Sequence, residues 1–159
     1  MTAKLVSALV ISRLDYCNAI LAGLLHSYTA AVQRVLNCAA QLVYGLWPRD
    51  HVTKTLMQLR WLPVHEHINF KLCMFVYKSL SGNAPTYIAN KLQPVAQLHC
   101  HATLHLATNN DLIVPPCWLH FGECAFTVAT PRLWKSLLAD VGCATSVAVF
   151  KKKLKTFMF

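Results

Sequence analysis

The sequence predicts a mainly α-helical protein in three parts. Apolar residues recur at steps of three to five positions through most of the chain, which is the period of helices that bury one face. Residue types that start and stop helices fall between these stretches. The predicted parts are an N-terminal helical bundle over about residues 1–92, a loop or crossover over 93–110, and a looser C-terminal subdomain over 111–159 with a short extended segment, helices and a final basic amphipathic helix.

The N-terminal part contains three long periodic stretches. The second begins at Thr29, whose hydroxyl is suited to cap a helix, and ends before Gly45, which suits the left-handed position beyond a helix. The third begins at Pro63, a good first helical residue, and is stopped by the SGNAP segment at 81–85. The first stretch is defined by apolar residues at helical spacing: Leu5, Leu9, Leu14, Cys17, Leu21 and Leu24.

Shorter elements connect the long helices. The WPRDH segment at 47–51 predicts a turn, and Thr53 is suited to cap a short helix after it. A further short helix is predicted over about residues 86–92. Four side chains on apolar faces are predicted to act as buried hydrophobic residues: Cys38, Cys73, Trp61 and Trp134.

The C-terminal part follows a stretch without helical periodicity. Residues 93–110 carry no charge and no convincing period, which predicts a loop. The LIV segment at 112–114 precedes two prolines and is expected to be extended, because a residue before proline is disfavoured in the helical region. A helix is predicted from Pro131, and the last helix from about Ser146. Most lysines of this last helix face away from its apolar residues, which are Val147, Phe150, Leu154 and Phe157.

The composition indicates the partners that the chain would attract. Only 13% of the residues are charged, so we expect another protein surface, or another part of the chain, to cover some exposed apolar area. The formal net charge of +9 favours polyanions such as RNA or DNA. The seven cysteines have irregular spacing and no C-x-x-C, which favours reduced thiols. With no signal peptide or membrane span apparent, we predict a soluble intracellular chain, in cytoplasm or nucleus.

No catalytic motif is present in the sequence. The six acidic residues are scattered, the five glycines stand apart, and there is no G-x-S-x-G segment. An enzyme is therefore the least favoured class, and no cofactor is predicted.

Two histidine segments raise the question of a metal site. In HCHATLH, zinc could bind through His99, Cys100, His101 and His105, but the companion C-x₂₋₄-C is missing, so an exposed polar loop is the favoured interpretation. The HEH segment at 65–67 lacks the i, i+4 spacing of two ligands on one helix face. No metal site is predicted, although the HCHATLH segment leaves that alternative open.

The basic residues near the C-terminus are the candidate functional residues. Lysines on the final helix can contact phosphates, each adding salt-dependent affinity without sequence preference. The alternative is a solvated helix face that keeps an apolar chain in solution. The candidate nucleic-acid-binding residues are Lys151, Lys152, Lys153, Lys155, Arg132 and Lys135.

Six segments carry a resemblance to a known family. They read SRLDYCN, VQRVLNCAAQLVYG, RDHVTKTLMQLRWLPVHEHINFKLCMFVYKSLSGNAPTYI, DLIVP, FGECAFTVATPRLWKSLL and FKKKLKTFMF. In this order, across nearly all 159 residues, they resemble the C-terminal region of reverse transcriptases from LINE-type, non-LTR retrotransposons. Corresponding segments of that family typically read SRLDYCN, LQRVQNAAARLV and GDRAFSVAAPRLWNSLP.

The resemblance implies a thumb and post-thumb helical region that helps to hold template RNA and target DNA. The family's endonuclease and its polymerase palm, with paired catalytic aspartates, lie upstream of this region. We therefore expect the chain to be non-catalytic, and no catalytic residue is carried over.

Departures from the family pattern suggest a decayed or orphan copy. The family usually has arginine where this chain has Cys124, Trp47, Trp118 and one or more of the histidines from His101 to His105. Cys, Trp and His are the products of single transitions at CG-containing arginine codons. Lost arginines would weaken nucleic-acid binding, because each guanidinium can make a bidentate phosphate contact. A recruited protein-interaction helical module without a nucleic-acid role stays the alternative.

Overall fold

The computed structural model of the chain describes residues 2–24, 26–95, 111–137, 139–142 and 144–159. It is mainly α-helical, as predicted, and within these ranges the only β-type pairing is one isolated antiparallel bridge. The chain divides into an N-terminal unit, Met1–Ile68 with Phe159, and a C-terminal unit, Asn69–Met158. The sequence predicted that the N-terminal helical bundle ends near residue 92.

The described residues of the N-terminal unit form four α-helices and the start of a fifth. Helix α1 (Thr2–Val6) continues through a π-helical turn, Ser7–Ile11, into α2 (Ser12–Asp15). The longest helix is α3 (His26–Tyr44), followed by α4 (Thr53–Leu59). Helix α5 (Val64–Leu80) begins in this unit and ends in the next.

The first predicted helix is interrupted, which corrects the sequence interpretation. Helix α2 ends at Asp15, Cys17 adopts a left-handed conformation with φ 54°, and a separate 3₁₀ turn covers Asn18–Leu21. The buried Asn18 side chain donates a hydrogen bond to Asp15 Oδ1 at 3.3 Å. Such a local side-chain contact competes with continuation of the helix. The apolar face that the sequence predicted for this helix is not buried, since Leu5 and Leu9 are exposed.

Helix α3 begins earlier than the predicted cap and ends where predicted. It starts at His26, so Thr29 is a buried residue inside the helix rather than its cap. At the other end Gly45 has φ +64°, and the Leu46 N–H donates to the Gln41 carbonyl at 3.0 Å. That geometry satisfies a terminal carbonyl and confirms the predicted stop.

The boundaries of α4 and α5 agree with the prediction to within a residue. Val52 is the N-cap of α4, so Thr53 is its first helical residue and makes no capping hydrogen bond. Pro63 lies just before α5, and its carbonyl accepts the His67 N–H at 2.8 Å. Gly82, with φ +70°, follows the end of α5 and confirms the predicted stop.

The core of the C-terminal unit explains where the chain divides. The second half of α5 and the segment that ends at Leu92 pack with residues far along the chain. They therefore belong with the C-terminal part and not with the N-terminal bundle. The buried cluster consists of Cys73, Val76, Tyr77, Leu92, Leu112, Trp134, Val141, Phe150 and Leu154.

The described residues that flank positions 96–110 are hydrogen-bonded to each other. After the short helix α6 (Thr86–Ala89), Pro94 forms an antiparallel bridge with Leu112. The Val95 N–H donates to the Asp111 carbonyl at 2.9 Å. The bridge at Leu112 confirms that the LIV segment at 112–114 begins in an extended conformation, as predicted. The rest of the predicted loop, residues 96–110, lies outside the described residues.

Helix α7 begins before Pro131, where the sequence predicted its start, and this is a second correction. A 3₁₀ helix covers His120–Cys124, and α7 (Phe126–Lys135) contains Pro131 inside it. Proline has no N–H to donate to the carbonyl of Thr127, four residues earlier. The Pro131 side chain is among the most deeply buried of the unit, so packing offsets the lost hydrogen bond.

Two further helices lie in the described part of the C-terminal unit. After α8 (Ala139–Gly142), α9 spans Val147–Phe157. Ser146 is its N-cap, and the Ser146 side chain accepts the Val149 N–H at 3.3 Å. The predicted start of the last helix is confirmed.

Candidate nucleic-acid interface

Helix α9 is anchored along one side by two completely buried residues. Phe150 and Leu154 each have 0% exposure. The Phe150 ring stacks on Tyr77 of α5, with centroids 4.2 Å apart and planes 11° apart. The ring of Trp134 on α7 also lies close to the Phe150 ring, at a centroid distance of 5.9 Å. The helix therefore cannot rotate about its axis without unpacking the core, and its outward side is fixed.

The four lysines of α9 occupy different positions around the helix. An α-helix turns about 100° per residue, so Lys151 and Lys155 lie one turn apart on the same flank, with Lys152 beside them. Lys153 lies on the opposite flank. Lys151 and Lys152 are exposed, whereas Lys153 and Lys155 are half-buried. The lysine flank, defined as Lys151, Lys152 and Lys155, is the basic surface that α9 presents.

The other two candidate residues lie on α7 in the same unit. Arg132 and Lys135 are both exposed. The Arg132 guanidinium donates to Glu123 Oε1 at 3.0 Å, and the two side chains are 46% and 39% exposed. An exposed ion pair of this kind contributes about 0–1 kcal/mol, so a phosphate can compete with Glu123 for the guanidinium. Lys135 sits in the last turn of α7, where the helix dipole favours a cation.

The chemistry available to this surface is electrostatic. Helix α9 contains no acidic residue, so its lysines face no carboxylate on their own helix. Lysine ammonium groups contact phosphates as point charges and do not distinguish one base from another. This arrangement suits binding along a phosphate backbone.

Three positions at which the sequence resemblance predicts arginine differ in their surroundings. Trp118 is 94% exposed and Trp47 is 78% exposed. Tryptophan is highly buried on average in folded proteins, so two indole rings with this much exposure are unusual. A long charged side chain would suit both positions. Cys124, by contrast, is half-buried at the end of the 3₁₀ helix.

The other sequence predictions about individual side chains had mixed outcomes. Trp134 and Cys73 are buried in the core, which confirms their predicted role. Cys38 is exposed on α3, so its predicted burial was wrong, and Trp61 is half-buried. The potential zinc ligands His99, Cys100, His101 and His105 lie outside the described residues.

A polar pair that the sequence interpretation missed lies in the N-terminal unit. His67 Nδ1 and Asp15 Oδ1 are 2.5 Å apart and join α5 to α2. A cavity of about 20 Å³ is lined by His67, by Asn18 and by apolar side chains such as Leu62. That volume holds about one water molecule, which is too little for a substrate. No local signal could have indicated the pair, because its members are 52 positions apart.

Within the described residues there is no cluster of three or more His, Cys, Asp or Glu side chains arranged to hold a metal ion. In that same part of the chain, no helix is both long enough and apolar enough to cross a membrane. No protein-family model, curated protein or solved structure matches this chain.

Proposed function

We propose that this chain is a non-catalytic helical segment of the kind found in the C-terminal region of LINE-type reverse transcriptases, and that it binds the phosphate backbone of RNA and DNA. The ordered sequence resemblance supports the family origin. The proposed contact surface is the lysine flank of α9, with Arg132 and Lys135 of α7 as further contacts. Binding is expected to be independent of base sequence.

The single observation that carries the binding proposal is the fixed orientation of α9. Because Phe150 and Leu154 are completely buried, the exposed lysines are held outward on a rigid support. Cations that are already positioned lose less conformational freedom on binding than cations on a flexible tail. The net charge of +9 adds long-range attraction to polyanions.

The proposed origin as a decayed copy is supported by the exposed tryptophans. Each of Trp47 and Trp118 lies where arginine would be well solvated and where tryptophan gains nothing from burial. The corresponding gene should lie in a locus whose upstream reading frames are broken. Intact flanking exons with mainly synonymous change would contradict this origin.

A second candidate is a recruited protein-interaction module without a nucleic-acid role. It is favoured by large apolar side chains that remain at the surface, among them Leu119 and Tyr87 at 74% and 70% exposure. Exposed apolar area of this kind commonly marks a protein contact. The two candidates differ in their dependence on salt.

The deciding experiment is a salt titration of binding by fluorescence anisotropy, with a labelled single-stranded RNA and a labelled DNA duplex. If three lysines contact phosphates, log K should fall with log salt with a slope of about −2.7 on duplex DNA and about −2 on single strands. Replacing Lys151, Lys152 and Lys155 by alanine should remove most of that slope. Binding that ignores salt, or no binding at low salt, would exclude the nucleic-acid proposal.

A matched control separates the lysine flank from net charge. Lys4, Lys54 and Lys91 are exposed lysines outside α9, and replacing all three by alanine lowers the net charge by the same amount. This control variant should keep most of the salt dependence. Equal loss in both triple variants would show that diffuse charge, and not the flank of α9, is responsible.

A further inference from the structure

Helix α3 exposes an apolar stripe with the spacing of a helix–helix seam. The α3 stripe consists of Tyr28, Ala31, Val35, Cys38 and Leu42, all of which are exposed. Their spacing alternates between three and four residues, which is the a/d pattern by which two helices pack along a common line. Tyr28, Val35 and Leu42 are 68%, 51% and 67% exposed.

The other sides of α3 are already in use within the N-terminal unit. Leu36, Ala39 and Ala40 are buried on one side. On the polar side, the Gln33 Oε1 accepts the Val64 N–H at 2.8 Å, and the Gln41 amide donates to the Trp47 carbonyl at 3.3 Å. The stripe lies next to the buried side. The apolar part of α3 is thus about twice as wide as the part that its own unit covers.

Large and small residues alternate along the stripe. The a positions hold the large residues Tyr28, Val35 and Leu42, and the d positions hold Ala31 and Cys38. When two helices pack antiparallel, a residues of one meet d residues of the other, so every large side chain faces a small one. In that register Leu42 packs on Ala31 of a second copy, Val35 on Cys38, and Tyr28 over Gly45 just beyond the helix end.

The charges also permit self-pairing. Arg34 is the only charged residue of α3 and it flanks the stripe. In the antiparallel register it lies near Gln41 of the second copy and away from the second Arg34.

A parallel pair would place large residues against large ones at the a positions and leave small ones facing each other at the d positions.

We propose that the α3 stripe is the contact surface for a second copy of this chain, paired antiparallel through α3. This goes beyond the proposed nucleic-acid function and does not depend on it. The stripe spans the 15 residues from 28 to 42, or about 21 Å of helix. Such a seam is smaller than a standard protein interface, so we expect a weak dimer with a dissociation constant on the order of 10 µM.

The first test is sedimentation equilibrium of the full chain after nuclease treatment, at about 5 to 200 µM protein and about 0.3 M salt. The mass should rise with concentration from 17.8 kDa towards twice that value. Added salt should leave the dimer intact or strengthen it, because the two copies carry the same charge. A monomer throughout, or a dimer that disappears with nuclease or added salt, would overturn the proposal.

Single substitutions locate the contact. Val35→Lys and Leu42→Gln should each weaken association at least tenfold, and two variants guard against one that fails to fold. Ile20→Lys is the matched control, since Ile20 is 76% exposed but lies in the 3₁₀ turn outside α3. Circular dichroism checks that each variant keeps its helices. If the α3 variants dimerise as the parent does, the stripe is not the interface.

A reciprocal exchange tests the register. In the antiparallel register, Ala31 of one copy faces Leu42 of the other. Ala31→Leu therefore puts leucine against leucine, and Leu42→Ala puts alanine against alanine, so each change alone should weaken the dimer. The double variant restores one large and one small residue per layer and should recover most of the affinity. In a parallel pair Ala31→Leu would face its own copy and strengthen association, which would contradict the antiparallel register.

Discussion

The ring of Tyr77 on α5 stacks on the ring of Phe150 on α9, with 4.2 Å between centroids and 11° between planes. The Tyr77 hydroxyl also donates a 2.8 Å hydrogen bond to the Ala144 carbonyl, which lies just before the last helix. One side chain thus fixes both the face of α9 and the approach of the chain to it. This contact ties the basic helix to the centre of the C-terminal unit.

We expect Phe150→Ala to lower the free energy of unfolding of the C-terminal unit by about 3–5 kcal/mol, because it removes a completely buried ring. Urea unfolding followed by circular dichroism measures the change. Phe157→Ala is the control, since Phe157 lies on the same helix at 45% exposure and should cost far less. If Phe150→Ala does not fold, Phe150→Leu supplies a smaller loss. Equal effects at both positions would argue against the described packing.

Ser146→Ala should lower the free energy of unfolding by about 0.5–1 kcal/mol. The Ser146 hydroxyl accepts the Val149 N–H at 3.3 Å, and loss of an N-cap leaves that donor to solvent. Thermal unfolding followed at 222 nm provides the measurement, with Thr145→Ala as the neighbouring exposed control. A Ser146 variant as stable as the parent would mean that the cap contributes nothing.

Asp15 and His67 should be energetically coupled. Their side chains are 2.5 Å apart but 39% and 28% exposed, so solvent screens the interaction. A double-mutant cycle with Asp15→Ala and His67→Ala should give a coupling free energy of about 0.5–1 kcal/mol. Urea midpoints of the four proteins supply the values. Additive losses would show that the contact adds no stability beyond that of its separate members.

Trp118→Arg should increase affinity for nucleic acid. The position is 94% exposed in the same unit as the lysine flank, and a guanidinium can make a bidentate phosphate contact. On duplex DNA, the slope of log K against log salt should steepen by about 0.9 for one added contact. Trp118→Gln removes the indole without adding charge and should leave the slope unchanged. An identical response to both replacements would place this position outside the binding surface.

Much of the helical content followed from local signals in the sequence. Gly45, Gly82 and Ser146 stop or start helices as predicted, because a left-handed glycine and a capping hydroxyl act within one turn of the chain. The same kind of local rule was wrong at Pro131. Pro131 lies in the interior of α7, and its side chain is fully buried. Burial of the proline ring outweighs the one backbone hydrogen bond that proline cannot make.

The candidate site was only partly predictable. The lysine cluster is visible in the sequence, and its helix was predicted with nearly the observed bounds. The outward orientation of Lys151 and Lys152 depends on the burial of Phe150 against Tyr77, which lies 73 positions earlier in the chain. The exposure of Trp118, and of the stripe on α3, likewise depends on which neighbours the folded chain supplies.

By itself the sequence determined that this chain is helical, basic and poor in charged residues, because periodicity, caps and composition act locally or sum over the whole chain. Only the tertiary structure decided that residues 69–92 belong with the C-terminal core and which apolar faces are covered. Those outcomes depend on contacts between residues far apart in sequence, and a helix with two apolar sides does not itself specify which side will be buried.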